Sequence, residues 1–122
     1  MAKILVVDDS STGVHLFKRI LENNNHTVLI AQNGAEGLEK AREHLPDLIL
    51  MDIVMPEMDG FQATRLIRKT PETAHIPIVM VSTKSQETDQ IWAKRQGALE
   101  YIIKPFEEEE LINVITPYLQ PQ

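Results

Sequence analysis

The sequence contains no cysteine and no long hydrophobic run, and basic residues are outnumbered by acidic ones. Without cysteine there is no disulfide scaffold, zinc ribbon, iron–sulfur cluster or thiol nucleophile. No apolar run approaches the roughly 20 residues of a membrane span, and the first residues show no signal-peptide cleavage site. The 12 basic and 18 acidic residues give a net charge of -6, which disfavours nucleic-acid binding. These absences predict a cytoplasmic protein with no membrane insertion.

The length of 122 residues predicts a single domain, residues 1–122. Hydrophobic residues make up 43% and charged residues 25%, as is ordinary for a folded globular protein. No linker or low-complexity tract divides the chain. We therefore expect no effector domain, and an output through contact with another protein.

Five short apolar runs recur along the chain and alternate with segments of helical spacing. The runs are residues 4–7, 28–31, 48–51, 78–81 and 101–103. They are continuous in hydrophobicity, as strands covered on both faces are, and such strands are mostly parallel. The pattern predicts an α/β fold with a doubly wound, five-stranded parallel sheet and helices on both faces.

Polar side chains follow four of the five runs. Asp8 and Asp9 follow the first run, Asp52 the third, Ser82 the fourth and Lys104 the fifth. In the common flavodoxin-like strand order 2-1-3-4-5, the strands that carry these residues are contiguous. We therefore expect the five side chains to meet beyond the carboxyl ends of the strands.

The chemistry of such a cluster points to phosphoryl transfer. Three neighbouring carboxylates repel one another unless a counter-charge is present, and magnesium prefers such oxygen ligands. A lysine and a hydroxyl add donors for phosphoryl oxygens. Asp52 is the best candidate nucleophile, because it stands alone at the end of a central strand.

Each residue also has a plainer interpretation. Residues 8–10 could cap the first helix, Asp52 could belong to a turn, Lys104 could be a solvated loop lysine, and Ser82 could cap a helix. A shared site is favoured because four separate strands would otherwise end in suitable groups by chance.

Several motifs together resemble the receiver domain of two-component response regulators. They are residues 4–10 (ILVVDDS), residues 50–56 (LMDIVMP), Asp59-Gly60, Ser82, Gly97-Ala98, Tyr101 and residues 104–106 (KPF). The resemblance covers essentially the whole chain. It implies phosphorelay signalling, in which the chain accepts a phosphoryl group from the phosphohistidine of a histidine kinase or its phosphotransfer domain.

The resemblance also implies a role for each matched residue. Asp52 would be the phosphoacceptor, with Lys104 binding the phosphoryl group. Magnesium would be held by Asp8, Asp9 and Asp52, with Asp9 the more direct ligand of the acidic pair, and by the backbone carbonyl of Val54.

Ser82 and Tyr101 would form the switch pair of hydroxyl and aromatic side chain. The fourth helix, fifth strand and fifth helix would then contact the target protein. The chain would be a monomer or a weak dimer, and a phosphoacceptor that catalyses its own phosphorylation and dephosphorylation rather than an enzyme. The alternatives are a small phosphatase with an aspartyl-phosphate intermediate and an interaction module that is not phosphorylated.

A finer resemblance is to the stand-alone receivers of type IV pilus (twitching motility) and phototaxis systems. It rests on residues 52–56, residues 60–65 (GFQATR), residues 82–89 (STKSQETD), Trp92 and residues 94–98 (KRQGA). Thr83 departs from the alanine that is usual in the wider family beside the phosphorylation pocket. No dephosphorylation rate is therefore implied for a pocket flanked by Val54, Thr83 and Lys84.

Two short segments give local expectations. Asn33 is a plausible N-cap of the second helix, and Asp59-Gly60 is typical of a turn.

Four further local features give separate expectations. The acidic run 107–110 should begin the last helix, and Pro117 should kink or stop that helix near Thr116. Trp92 should be partly exposed on a polar helix. The Lys104–Pro105 bond should be cis, which turns the lysine into the site.

Overall fold

The computed structural model describes residues 1–119, and the last three residues of the predicted domain lie outside the described part. In residues 1–119, five strands alternate with five helices. In chain order the elements are β1 (Lys3–Val7), α1 (Ser11–Asn23), β2 (Thr27–Ala31), α2 (Gly34–His44), β3 (Leu48–Met51), α3 (Gly60–Lys69), β4 (Ile78–Ser82), α4 (Glu87–Gln96), β5 (Glu100–Ile103) and α5 (Glu108–Leu119). Each strand matches its predicted run to within one residue at either end.

The sheet has the order β2-β1-β3-β4-β5, and every pairing is parallel. This confirms the predicted fold and strand order. The central strands are apolar throughout because successive side chains enter two different cores. Leu5 and Val7 pack with α2 and α3, whereas Ile4 and Val6 pack with α1 and α5.

The helix ends follow from local sequence. Asn33 caps α2, as expected: its side chain accepts a hydrogen bond from the Glu36 backbone N–H at 2.8 Å. The interpretation of Asp59-Gly60 as a simple turn is wrong, because Asp59 is the N-cap of α3. Its Oδ1 accepts from the Gln62 backbone N–H at 2.9 Å, and the Gln62 side chain accepts from the Asp59 N–H. This reciprocal capping box starts a helix where a turn was expected.

The last helix begins at Glu108, within the acidic run as expected, but it does not stop at Thr116. Pro117 lies inside the helix, which continues to Leu119. A proline removes one backbone donor, and the burial of Leu111 and Ile115 against the sheet holds the helix in place across the missing bond. None of the helices within residues 1–119 has the length and apolar character that crossing a bilayer requires.

The first turn of α3 approaches the backbone of the β3–α3 loop very closely. The Gly60 N–H donates to the Ile53 carbonyl at 2.8 Å, and a Cβ on Gly60 would overlap the carbonyl oxygen of Asp52. Gly34 also begins a helix, but a Cβ there would meet the flexible Met58 side chain, with its sulfur at 2.9 Å. A side chain at position 60 would therefore meet rigid backbone, whereas a side chain at position 34 would meet a side chain that can move aside.

We expect Gly60→Ala to lower the free energy of unfolding by about 1 to 3 kcal/mol, because a backbone atom must move to admit the methyl group. Gly34→Ala is the matched control, and its loss should be clearly smaller. Urea unfolding followed by circular dichroism measures both. Equal losses in the two variants would contradict the close approach at Gly60.

Candidate active site

The predicted cluster forms beyond the carboxyl ends of four adjacent strands. Asp8 follows β1, Asp52 follows β3, Ser82 is the last residue of β4 and Lys104 follows β5. Because β1, β3, β4 and β5 are neighbours in the sheet, these residues lie on one edge. The parallel topology thus brings together groups that are far apart in sequence.

Three carboxylates meet at this edge. Carboxylate oxygens of Asp8, Asp9 and Asp52 all lie within 4.8 Å of one another. Asp8 is buried, at 1% exposure, and its Oδ1 accepts a hydrogen bond from the Ser10 N–H at 2.8 Å. Ser10 caps α1 by accepting from the Gly13 N–H at 3.2 Å. The capping interpretation of residues 8–10 therefore holds for Ser10 and leaves both aspartates to the cluster.

Lys104 supplies the positive charge of the site. Its Nζ lies 3.2 Å from Asp8 Oδ2 and 3.5 Å from Asp52 Oδ2. The lysine side chain is 21% exposed, so it is not the solvated loop lysine of the plainer interpretation. The Lys104–Pro105 bond is cis, as expected.

The Asp52 carboxyl group is crowded. Burial raises its pKa, and the negative charge of Asp8 raises it further. The positive charge of Lys104 lowers the pKa of Asp52. So does the Ile53 N–H, which donates to Asp52 Oδ1 at 2.8 Å. The two effects together do not fully offset the rise. Ionised Asp52 is therefore held at a cost that a further cation would relieve.

The donor set fits magnesium. Three carboxylates of different exposure offer hard oxygen ligands in a compact space, and Asp9 and Asp52 are reached from solvent. Magnesium typically binds one or two carboxylates and keeps several waters, and a partly open cluster permits this. Val54 lies in the same loop, two residues after Asp52, and the residue is 58% exposed.

Ser82 and Tyr101 both contact the backbone of Lys84 in the β4–α4 loop. The buried Ser82 hydroxyl accepts from the Lys84 N–H at 3.2 Å, and the Tyr101 hydroxyl donates to the Lys84 carbonyl at 2.7 Å. Ser82 does not cap a helix, since α4 begins only at Glu87. Burial raises the pKa of the Tyr101 hydroxyl, which therefore stays a donor.

The sequence pattern did not reveal two neighbours of the cluster. A Cβ on Gly13 would lie 2.7 Å from Asp8 Oδ2, so this helical glycine leaves room for the carboxylate. The Phe17 ring lies 6.0 Å from Lys104 Nζ. The one available signal was Phe106, two residues after Lys104, whose ring stacks on Phe17.

Known proteins resemble this chain both in fold and in amino-acid sequence. Residues 4–116 match the family described as response regulator receiver domain. Protein PilH of Pseudomonas aeruginosa is 51% identical over 119 residues, covering 98% of each chain.

Two solved structures extend the likeness. The chemotaxis protein CheY4 of Vibrio cholerae superposes with a TM-score of 0.91 at 32% identity, over 98% of this chain and 99% of that one. The receiver domain of a Pseudomonas aeruginosa sensor histidine kinase gives 0.90 at 26% identity, over 97% of both chains. That structure is described with a magnesium ion coordinated in the active site cleft.

The raised pKa of Asp52 predicts the sign of a stability change. A carboxyl group whose pKa is higher in the folded chain than in the unfolded chain stabilises the fold when it is protonated. For Asp52 this stabilisation is complete at pH values below the pKa of aspartate in the unfolded chain. It is lost as the pH rises through the pKa of Asp52 in the folded chain. In metal-free buffer at pH 7, Asp52→Asn, which stays neutral, should therefore be more stable than wild type. The difference should shrink as pH falls toward about 4 and when magnesium is added.

Urea unfolding across this pH range provides the measurement. Asp59→Asn is the control, since asparagine caps a helix as well as aspartate and little change is expected. A less stable Asp52→Asn at pH 7 without metal would contradict the crowding of Asp52.

Proposed function

The chain belongs to the response regulator receiver domain family and acts in phosphorelay signalling, and we propose that Asp52 is its phosphoacceptor. One observation carries this proposal: the Asp52 carboxylate lies within 4.8 Å of two other carboxylates and 3.5 Å from the Lys104 ammonium. Asp52 is also the accessible member of the pair that Lys104 contacts, at 12% side-chain exposure against 1% for Asp8.

The transfer makes an acyl phosphate. An Asp52 carboxylate oxygen attacks phosphorus, the O–P bond forms, and the N–P bond to the donor histidine breaks, leaving the electron pair on the imidazole nitrogen. Lys104 lies where its ammonium can compensate charge on the phosphoryl oxygens. Its present contacts with Asp8 and Asp52 hold it at the site before the donor arrives.

Asp8, Asp9 and Asp52, with the backbone carbonyl of Val54, would hold magnesium. The bound ion would supply positive charge to the carboxylates and to the phosphoryl oxygens. Two observations support this assignment: the compact carboxylate cluster of this chain and the magnesium described for the similar receiver from Pseudomonas aeruginosa.

Ser82 and Tyr101 would be the switch. A phosphoryl oxygen on Asp52 can accept a hydrogen bond from the Ser82 hydroxyl, which would pull that hydroxyl from the Lys84 N–H. Tyr101 is tied to the carbonyl of the same Lys84, so movement of the β4–α4 loop reaches the ring. The two residues thus form one element with two populations, which phosphorylation shifts.

The chain would act in the cytoplasm, and its partners in this proposal are a histidine kinase, or its phosphotransfer domain, and one target protein. The target would dock on α4, β5 and α5, where Trp92 is 48% exposed, as predicted. The 51% sequence identity with PilH and the resemblance of residues 52–56 and 82–89 to stand-alone pilus and phototaxis receivers support a role in pilus motility, chemotaxis or phototaxis signalling. A monomer or weak dimer suffices for this function.

We expect Asp52 to take a phosphoryl group directly from acetyl phosphate when magnesium is present, because the site supplies the charge compensation itself. Intact-mass spectrometry should show one added phosphoryl group that hydroxylamine removes. Asp52→Asn should remain unmodified, while the control Asp59→Asn should react like wild type. Equal modification of Asp52→Asn would refute the assignment.

Beryllofluoride with magnesium, which mimics a phosphoryl group, should alter the fluorescence of Trp92 on α4. Ser82→Ala should abolish most of this change, because position 82 then has no hydroxyl to donate to the phosphoryl mimic. Magnesium binding alone, followed by calorimetry, should stay nearly intact, since the hydroxyl is not a proposed metal ligand. An unchanged fluorescence response in Ser82→Ala would show that the signal takes another route.

A further inference from the structure

An aromatic pair lies against the lysine of the site. Phe17 in α1 is 2% exposed, and the centre of its ring lies 6.0 Å from Lys104 Nζ. The Phe106 ring stacks on Phe17, with 5.5 Å between the ring centres and 24° between the planes. We infer that Phe17 is a positioning residue for Lys104 and that Phe106 fixes the plane of the Phe17 ring. This inference rests on the phosphoryl-binding role proposed for Lys104.

The lysine needs such a support because its side chain is long and can rotate about several bonds. Its ammonium has two carboxylate partners, Asp8 at 3.2 Å and Asp52 at 3.5 Å. To serve a phosphoryl group it must exchange some of these contacts for phosphoryl oxygens. The face of an aromatic ring attracts a cation out to about 6 Å, and this attraction requires no hydrogen-bond direction. The ammonium can therefore change oxygen partners while it stays over Phe17.

Phe106 gives the ring a fixed orientation. Aromatic rings with centres about 4.5 to 7 Å apart attract one another in offset stacks, and the Phe17–Phe106 pair lies within this range. Phe17 could turn its face from Lys104 only by breaking the stack. Phe106 is two residues after Lys104, so one short segment supplies both the cation and the ring that holds its platform.

A purely structural role for Phe17 makes a different prediction from a positioning role. The core needs only the volume and apolarity of the ring, whereas Lys104 needs the negative charge density of its face. Site-specific replacement of Phe17 by 3,4,5-trifluorophenylalanine nearly keeps the shape and weakens that charge density. Phe61 packs in the other core, on the opposite face of the sheet, and the same replacement there is the matched control.

The experiment measures phosphorylation of the full chain by acetyl phosphate, using intact mass against time over a range of magnesium concentrations. With the fluorinated residue at position 17, we expect the maximal rate to fall about two- to tenfold. The half-saturating magnesium concentration should stay the same, because the ring is not a proposed metal ligand. In the NMR spectrum of wild type, the Lys104 ε-protons should show a ring-current shift that Phe17→Leu removes.

Lys104→Ala separates failure of this inference from failure of the proposed function. If Lys104→Ala is slow but fluorination at position 17 has no more effect than at position 61, the positioning role is wrong and the proposed function stands. If Lys104→Ala reacts at the wild-type rate, the role of Lys104 is wrong and the inference falls with it. A rate loss specific to position 17, with Lys104→Ala also slow, supports both.

Discussion

The site depends on one charge balance: the Lys104 ammonium lies between the carboxylates of Asp8 and Asp52. Three carboxylates within 4.8 Å would otherwise repel one another in surroundings that screen them poorly. The fold brings the lysine and the carboxylates together because β5, the strand just before Lys104, is separated from β3 only by β4. That intervening strand ends in the small side chain of Ser82, and the long lysine reaches across the edge. The result is a carboxylate that is crowded, partly exposed and already paired with a cation, as a phosphoacceptor requires.

The helix that follows the Ser82 loop is held differently from the others. Ala93 is the one residue of α4 that is buried, whereas α1 and α3 bury several each. The C-terminal end of α4 is held in place, because the Arg68 Nε donates a hydrogen bond to the Gly97 carbonyl at 2.9 Å. Its N-terminal end is joined directly to the β4–α4 loop, which contains Lys84. An element with few buried contacts lies at the low-stability end of a protein. In the proposed switch, a displacement of the loop would therefore tilt α4 and its exposed Trp92 at little cost in free energy.

Much of the fold could be predicted from the sequence, for physical reasons that differ between elements. The strands could be recognised because burial on both faces makes them continuously apolar. The role of Asn33 as the N-cap of α2 could be predicted because a cap is a local interaction. The residues at the strand ends were predictable once the strand order was assumed. The helix start at Asp59 was missed because a capping box resembles a turn. Of the two outcomes expected at Pro117, the stop does not occur, because packing outweighs one lost hydrogen bond. The contact of Phe17 with Lys104 could not be predicted, since it depends on how α1 lies against the end of β5.

In the function proposed for this chain, the phosphoryl group resides on Asp52 and not on either neighbouring aspartate. The most direct test is to phosphorylate the full chain with acetyl phosphate and magnesium, reduce the acyl phosphate with borohydride, and map the peptides by mass spectrometry. Reduction converts a phosphorylated aspartate to homoserine, which marks its position permanently. If Asp52 is the phosphoacceptor, homoserine will appear at position 52 alone. Homoserine at position 8 or 9, or none at position 52 in a chain that carries a phosphoryl group, would contradict it.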